Sequence, residues 1–249
     1  MRYMVLSDIH SNIDALDAVL DDAGSAATGG VIVLGDLVGY GAEPDLVVRR
    51  IRVLPALTVV RGNHDKVVAG IDSAEEFSPL ARSSVELTRQ RLSAEALEYL
   101  AGLPKGPIVV DAAIEICHGA PCNEDWYLHA QADVLEALSA ASRPVLLFGH
   151  THLPFAAART EDARLEVLLA DGGGTGTRIH LGDGRRCAIN PGSVGQPRDG
   201  DPRAAYGVFD TATMTMEFRR VSYAVERARD RIIAAGFPTR LGLRLMSGT

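Results

Sequence analysis

The sequence is poor in cysteine and almost without lysine. Its 249 residues hold three cysteines, Cys117, Cys122 and Cys187. Their number is odd and no two are spaced Cys-x-x-Cys, which excludes a disulfide framework and suits a reducing cytoplasm. The basic residues are 23 arginines and 2 lysines against 32 acids, for a net charge of −7. That balance argues against an extended nucleic-acid face, which needs a basic stripe. No apolar run approaches the roughly 18 residues of a membrane span. The opening "MRYMVLSDIH" is too short in apolar residues for a secretory leader and is interrupted by Asp8. We therefore expect a cytoplasmic protein with no membrane segment; its oligomeric state stays open. No Gly-x-Ser-x-Gly elbow occurs, since Ser193 follows Pro191-Gly192, and no cysteine is followed by arginine six positions later. Serine and cysteine nucleophiles thus find little support. The "DGGGTG" run lacks both the G-x-G-x-x-G spacing and a following Lys-Ser/Thr, and reads as a turn.

What is present is a series of short apolar runs: "RYMVL", "VIVL", "LTVV", "PIVV", "IEIC", "VLLF" and "CAI". The early ones alternate with helical patterns, which predicts an α/β protein with βαβ crossovers. Asn12 is an expected N-cap before "IDALDAVLDDA", and Pro44 an expected first helical residue. Two further helices are predicted in an insert at about 72–104, with Ser78 and Ser93 as N-caps. "ADVLEALSAA" and a late segment ending at Gly236 read as helices, and the chain after Phe155 carries hairpin-like turns. With no repeats and no low-complexity linker, residues 1–249 read as one domain.

The polar residues follow the apolar runs. "RYMVL" leads to Asp8 and His10, "VIVL" to Asp36, "LTVV" to Asn63, His64 and Asp65, "IEIC" to His118, and "VLLF" to His150 and His152. Five of the seven histidines fall in these stretches. Strand carboxyl ends are where α/β sheets bind ligands. Each element alone is a weak signal: "GNHD" by itself reads as a turn with a capping Asn, and a lone histidine is usually bonded to backbone. Together, in order and each after a strand, they point to a pair of divalent cations held about 3.5–4 Å apart. Asp8 and Asp36 supply negative charge; Asn63, His10, His118, His150 and His152 are neutral ligands. With a bridging hydroxide the ligand cage keeps a charge of about +1, which favours a phosphate anion.

These blocks, "SDIHSN", "LGDLVGYG", "RGNHD", "CHGAP" and "FGHTHLPF", resemble the calcineurin-like metallophosphoesterase family, whose pattern is D-x-H, G-D, G-N-H-D/E, a histidine and G-H-x-H. "GDLVGYG" and "NPGSVGQPRDGD" resemble its small bacterial phosphodiesterase branch. The resemblance implies a two-sheet β-sandwich flanked by helices with metals at one edge. It implies that Asp8, His10, Asp36 and His152 hold one metal, and that Asp36, Asn63, His118 and His150 hold the second. His64 would face the substrate, stabilising charge or protonating the leaving oxygen, with Asp65 either orienting it or serving as a surface turn residue. The family's metals are usually manganese, iron, zinc or nickel, and a mixed O/N ligand set suits several of these. The implied reaction is hydrolysis of a small phosphate ester, a diester first, by a metal-bridging hydroxide. A phosphomonoesterase or protein phosphatase is the alternative, and a non-catalytic scaffold a further one. Arg198 either meets a substrate phosphate or pairs with Asp199 or Asp201. Trp126 and Tyr127 either stack on a substrate ring or pack against the helical insert. Asn190 and Pro191 read as turn residues.

Overall fold

The computed structural model describes residues 1–24, 29–170, 174–182 and 184–249. Gly172 and Gly173 of the expected glycine turn, and Asp183 of the next one, lie outside the described residues. The first part of the chain runs β1 (Arg2–Leu6), α1 (Ile13–Ala23), β2 (Gly30–Val33), α2 (Pro44–Arg52), β3 (Leu57–Val59) and α3 (Asn63–Val68). Next come α4 (Pro79–Arg89), α5 (Ala94–Ala101), β4 (Ile108–Val109), β5 (Ile114–Ile116), α6 (Gln131–Ala140) and β6 (Val145–Leu147). The remainder is β7 (Phe155–Arg159), β8 (Leu165–Leu169), β9 (Thr177–His180), β10 (Arg186–Asn190), β11 (Ala204–Asp210), β12 (Thr215–Val221), α7 (Val225–Ala234) and α8 (Thr239–Ser247).

These strands form two mixed six-stranded sheets, ordered β3-β2-β1-β11-β12-β9 and β4-β5-β6-β10-β7-β8. The period-2 alternation of each strand explains the layering. Tyr3 and Val5 point into the space between the sheets, with Ile32, Ile116, Leu147 and Ile189. Met4 and Leu6, on the opposite face of β1, pack under Leu16 and Val19 of α1 and Val47 and Ile51 of α2. On the outer face of the second sheet Leu146 and Phe148 meet Val134 and Leu138 of α6. Burying each such aliphatic side chain contributes about 1.5–3 kcal/mol, so helices and strands are held mainly by this shared apolar area.

The predicted caps are in place. Asn12 accepts the Ala15 N–H at 3.1 Å, Ser78 the Ala81 N–H and Ser93 the Ala96 N–H, both at 3.2 Å. The segment "GNHD" departs from the turn reading: Gly62 occupies the cap and Asn63 opens α3. The donors at this helix start find side-chain acceptors, the Gly62 N–H on Asp65 Oδ2 and the His64 N–H on Asp36 Oδ1, each at 2.9 Å. Helix α8, with Leu241 and Leu245 buried one turn apart, lies beyond the last helix read from the sequence.

Strand register brings the ligand-bearing segments to one edge. β1, β2 and β3 run parallel with Leu6 opposite Val33 and Val33 opposite Val59. β5, β6 and β10 also run parallel, with Ile116 opposite Leu147 and Leu147 opposite Ile189. Their carboxyl ends therefore emerge together from both sheets.

Candidate metal centre

The loops beyond these strand ends are tied to one another through backbone. Asp8 N–H donates to Gly35 O (3.1 Å), His10 N–H to Asp36 O (3.0 Å) and Gly149 N–H to His118 O (2.8 Å). Asp8 O accepts the Gly195 N–H at 3.0 Å and the Ser193 hydroxyl at 2.7 Å. Five of the seven predicted ligands adopt left-handed backbone: Asp8 (φ 53°), His10 (48°), Asp36 (53°), His150 (68°) and His152 (61°). Such residues cost on the order of 1–3 kcal/mol each and persist where the surroundings over-determine them, commonly at functional sites.

Each of the four histidines uses one ring nitrogen on a backbone carbonyl. His10 Nδ1 reaches Val38 O at 3.1 Å, His118 Nδ1 Leu34 O at 2.7 Å, His152 Nδ1 Gln196 O at 2.6 Å and His150 Nε2 Asp125 O at 3.1 Å. Assigned from those partners, each ring donates there and, when neutral, keeps a lone pair on its other nitrogen. For three of the rings that nitrogen faces another acceptor. His10 Nε2 lies 3.1 Å from His152 Nε2 and 3.4 Å from Asp36 Oδ2. His118 Nε2 lies 3.4 Å from Asp36 Oδ2 and 3.3 Å from Asn63 Oδ1, and His152 Nε2 lies 3.4 Å from Asp8 Oδ1. Donor atoms of Asp8, His10, Asp36 and His152 all fall within 4.8 Å of one another, as do those of Asp36, His118 and His150. Asp36 belongs to both groups. Buried acceptors that converge with no hydrogen between them repel unless a cation lies among them, so this donor set fits divalent metal ions.

The electrostatics agree. Burial drives the pKa values of His10, His150 and His152 well below the imidazole range, so these rings are neutral and able to ligate. Burial also raises Asp8 to about 7, with the Asp36 charge adding to it. Burial opposes the Asp36 charge too, yet the imidazole of His118 and then that of His64 hold Asp36 well below the carboxylate range. Burial opposes a charge on His118, but Asp36 raises that imidazole to about 10. Without a metal, a proton on His118 balances Asp36, and a bound cation takes that proton's place.

Glycines make room for this crowding. A Cβ on Gly149 would stand 2.0 Å from Ser7 Oγ, and one on Gly62 only 2.1 Å from Asp36 Oδ1 and 2.4 Å from Asp36 N. Gly62→Ala is expected to displace Asp36, lowering stability by about 1–3 kcal/mol and reducing metal content. Thermal unfolding and elemental analysis check this, and an unchanged midpoint with full metal content would contradict it.

Beside the cluster opens a cleft of ≈ 350 Å³, lined by Asn63, His64 and His150 together with Tyr40, Phe77, Tyr127, Arg198 and Arg244. His64 is buried, belongs to neither donor group, and packs between the rings of Tyr40 (4.4 Å) and Phe77 (4.7 Å). Its Nδ1 has no hydrogen-bond partner, and burial lowers its pKa to about 4. Asp65 is neither a surface residue nor bonded to the His64 ring: fully buried, it accepts the N–H groups of Gly62 and Val38 and so joins the loops after β2 and β3. Arg198 pairs with neither expected partner, since Asp199 binds Arg220 and Asp201 binds Arg203. Trp126 packs with Leu128, Val134 and Phe148 below α6, away from both the cleft and the helical insert. Tyr127 is the residue of that pair in the cleft, stacked on His150 at 3.6 Å. Asn190 does more than turn the chain: it accepts the Gly192 N–H and donates to Gly149 O (2.8 Å) and Thr151 Oγ1 (3.0 Å), bracing the histidine turn. Tyr40, Phe77 and Arg244 escaped the sequence reading; only Tyr40, inside "GDLVGYG", carried a local signal.

Among the described residues no helix is long and apolar enough to cross a membrane. A profile of the calcineurin-like phosphoesterase superfamily domain matches residues 1–214. An uncharacterized protein of Methanocaldococcus jannaschii is 35% identical over 98% of this chain and 97% of its own length. The phosphodiesterase YfcE of Escherichia coli is 26% identical over 87% of this chain and 91% of its own. The crystal structure of a metallophosphoesterase from Sphaerobacter thermophilus superposes with a TM-score of 0.86 at 36% identity, covering 100% of this chain and 99% of that one. The strand order, the donor cluster at the sheet edge and these similarities agree that the chain belongs to the calcineurin-like phosphoesterase superfamily.

Proposed function

We propose that this protein is a phosphodiesterase that works with two divalent metal ions. The observation that carries the reading is Asp36, whose carboxylate belongs to two donor groups at once. One group is Asp8, His10, Asp36 and His152; the other is Asp36, His118 and His150, with Asn63 Oδ1 beside His118. The ions, manganese, iron, zinc or nickel by the character of the ligands, supply Lewis acidity toward a phosphoryl oxygen and a water that ionises near neutral pH.

The chain's residues do the rest. Asp8 and Asp36 offset part of the cationic charge, and the neutral histidines leave enough of it to attract a phosphate. His64, uncharged in its buried seat, donates an N–H toward developing charge on the phosphate or leaving oxygen. The rings of Tyr40 and Phe77 fix its orientation. The choice of diester rests on the similarity to YfcE and on an open cleft that extends beyond the donor cluster. All three cysteines are free and two are buried, which suits a reducing compartment, so we place the activity in the cytoplasm.

The test is hydrolysis by metal-reconstituted protein of bis(p-nitrophenyl) phosphate against p-nitrophenyl phosphate. We expect kcat/KM for the diester to exceed that for the monoester by about tenfold or more, a transition-state difference of about 1.4 kcal/mol. A dominant monoester rate would overturn the diester assignment. Loss of both activities with no bound metal would make the protein a scaffold.

A further inference from the structure

Most arginines near the centre are neutralised by neighbouring acids. Arg61 is held by Glu124 at 2.9 Å, Arg203 by Asp201 at 2.6 Å, and Arg220 by Asp199. Arg198 and Arg244 are exceptions: both line the cleft, and among the described residues neither pairs with an aspartate or glutamate. Arg198 Nε is buried with no hydrogen-bond partner. Arg244 donates its Nε–H to the backbone oxygen of Thr249 at 2.6 Å. The two acids that share the cleft do not neutralise them. Asp125 is taken by Lys66 at 2.6 Å, and Glu76 is exposed with no ion pair among the described residues.

The two guanidinium groups are close enough to repel. Burial first, and Arg198 second, hold Arg244 below its ordinary range. Arg198 lines the cleft together with Asn63, His64 and His150, and acts electrostatically on Asp8, His10, His64 and His152. Its backbone is fixed there because Gln196, two residues earlier, accepts the His152 Nδ1–H. Arg244 lines the same cleft and acts electrostatically on Tyr40. Among the described residues no aspartate or glutamate side chain pairs with either of these half-buried like charges, which makes them costly to hold together, and a simple diester with neutral arms, its single charge spent at the metals, brings them no phosphate of their own.

We infer that Arg198 and Arg244 together receive a second phosphate of the substrate, distinct from the one that is cleaved. The inference rests on the diester reading above and narrows it to phosphodiesters that carry a further phosphate. Guanidinium groups suit this ligand because their planar forks match phosphate oxygens in bidentate fashion, and one phosphate offers oxygens to both.

The test is binding to metal-loaded enzyme by titration calorimetry. The probes are adenosine 5′-diphosphate and thymidine 3′,5′-bisphosphate, each against its 5′-monophosphate. We expect at least one of the doubly phosphorylated probes to bind about tenfold or more tightly than its partner, a difference of about 1.4 kcal/mol. In the Arg198→Gln/Arg244→Gln double variant the preference should shrink to about twofold, and in Arg244→Gln alone to an intermediate value. Arg244→Lys, which keeps the charge, should retain part of it. Equal affinities in the wild type, or a preference that survives in the double variant, would overturn the inference. Should the double variant fail to fold, the single Arg244→Gln variant decides: an unchanged preference there also overturns it. Hydrolysis separates the two readings. A binding preference in an enzyme that cleaves only monoesters would sink the diester reading and leave the second-phosphate site standing. Diester cleavage without the preference would do the reverse.

Discussion

Replacing Asp36 with asparagine is expected to lower phosphodiester hydrolysis about a thousandfold and to cost the protein at least one metal ion, with the fold intact. The exchange keeps the shape of the side chain, and the amide oxygen can still accept the His64 N–H that Asp36 Oδ1 takes at 2.9 Å. What changes is the atom facing His10 Nε2 and His118 Nε2, each 3.4 Å from Asp36 Oδ2. An amide NH2 there donates toward both lone pairs and occupies the space a cation needs. Among the described residues Asp36 alone serves both donor groups, so substituting it reaches both at once. Charge stabilisation by the ions is worth several kcal/mol, and a loss of about 4 kcal/mol lowers the rate about a thousandfold. Metal content by elemental analysis and turnover of bis(p-nitrophenyl) phosphate check the result. Two ions per chain with undiminished turnover would refute the shared role.

His64→Ala should separate chemistry from metal binding. The ring belongs to neither donor group and its Nδ1 bonds to nothing, so its removal leaves the ligand cage untouched. We expect full metal content and a rate reduced by about 10²–10⁴, the range for a positioned proton donor or acceptor. The reduction should be larger for a diester with a poor leaving group than for a p-nitrophenyl ester, whose departing oxygen needs little help. A variant as active as the wild type on both substrates would remove His64 from the mechanism.

The seven proposed ligands were legible because their chemistry is narrow. Acids, amides and imidazoles suit the task and most other side chains do not, and the strand ends where such residues accumulate announce themselves as apolar runs stopping at Gly35, Gly62 and Gly149. The strands themselves were legible too, but their division into two sheets came from the resemblance. Nothing in "VLLF" or "VIVL" says that β6 and β2 belong to different sheets. Asp65 was misjudged because its sequence neighbour His64 invited a pairing, while one of its true partners, the Val38 N–H, is set by tertiary approach of another loop. Trp126 and Tyr127 lie on a loop without periodicity, so the choice of which faces the cleft is made by stacking on His150 rather than by any local pattern. Arg244 gave no signal at all, since its place beside Tyr40 depends on how α8 docks near the far end of the chain.

The contacts among these loops run between the two sheets as well as within them. His118 follows β5 of the second sheet but donates to Leu34 O, just past β2 of the first; His150 follows β6 and takes the Asp8 carboxylate on its own N–H at 3.1 Å. Ions seated among these residues would act as rivets through the sandwich, since ligands that bind only the folded form stabilise it in proportion to the logarithm of their free concentration. Heat tolerance and readiness for turnover would then rise and fall together with the supply of dissolved cation, so that starvation for metal both silences the enzyme and loosens its frame.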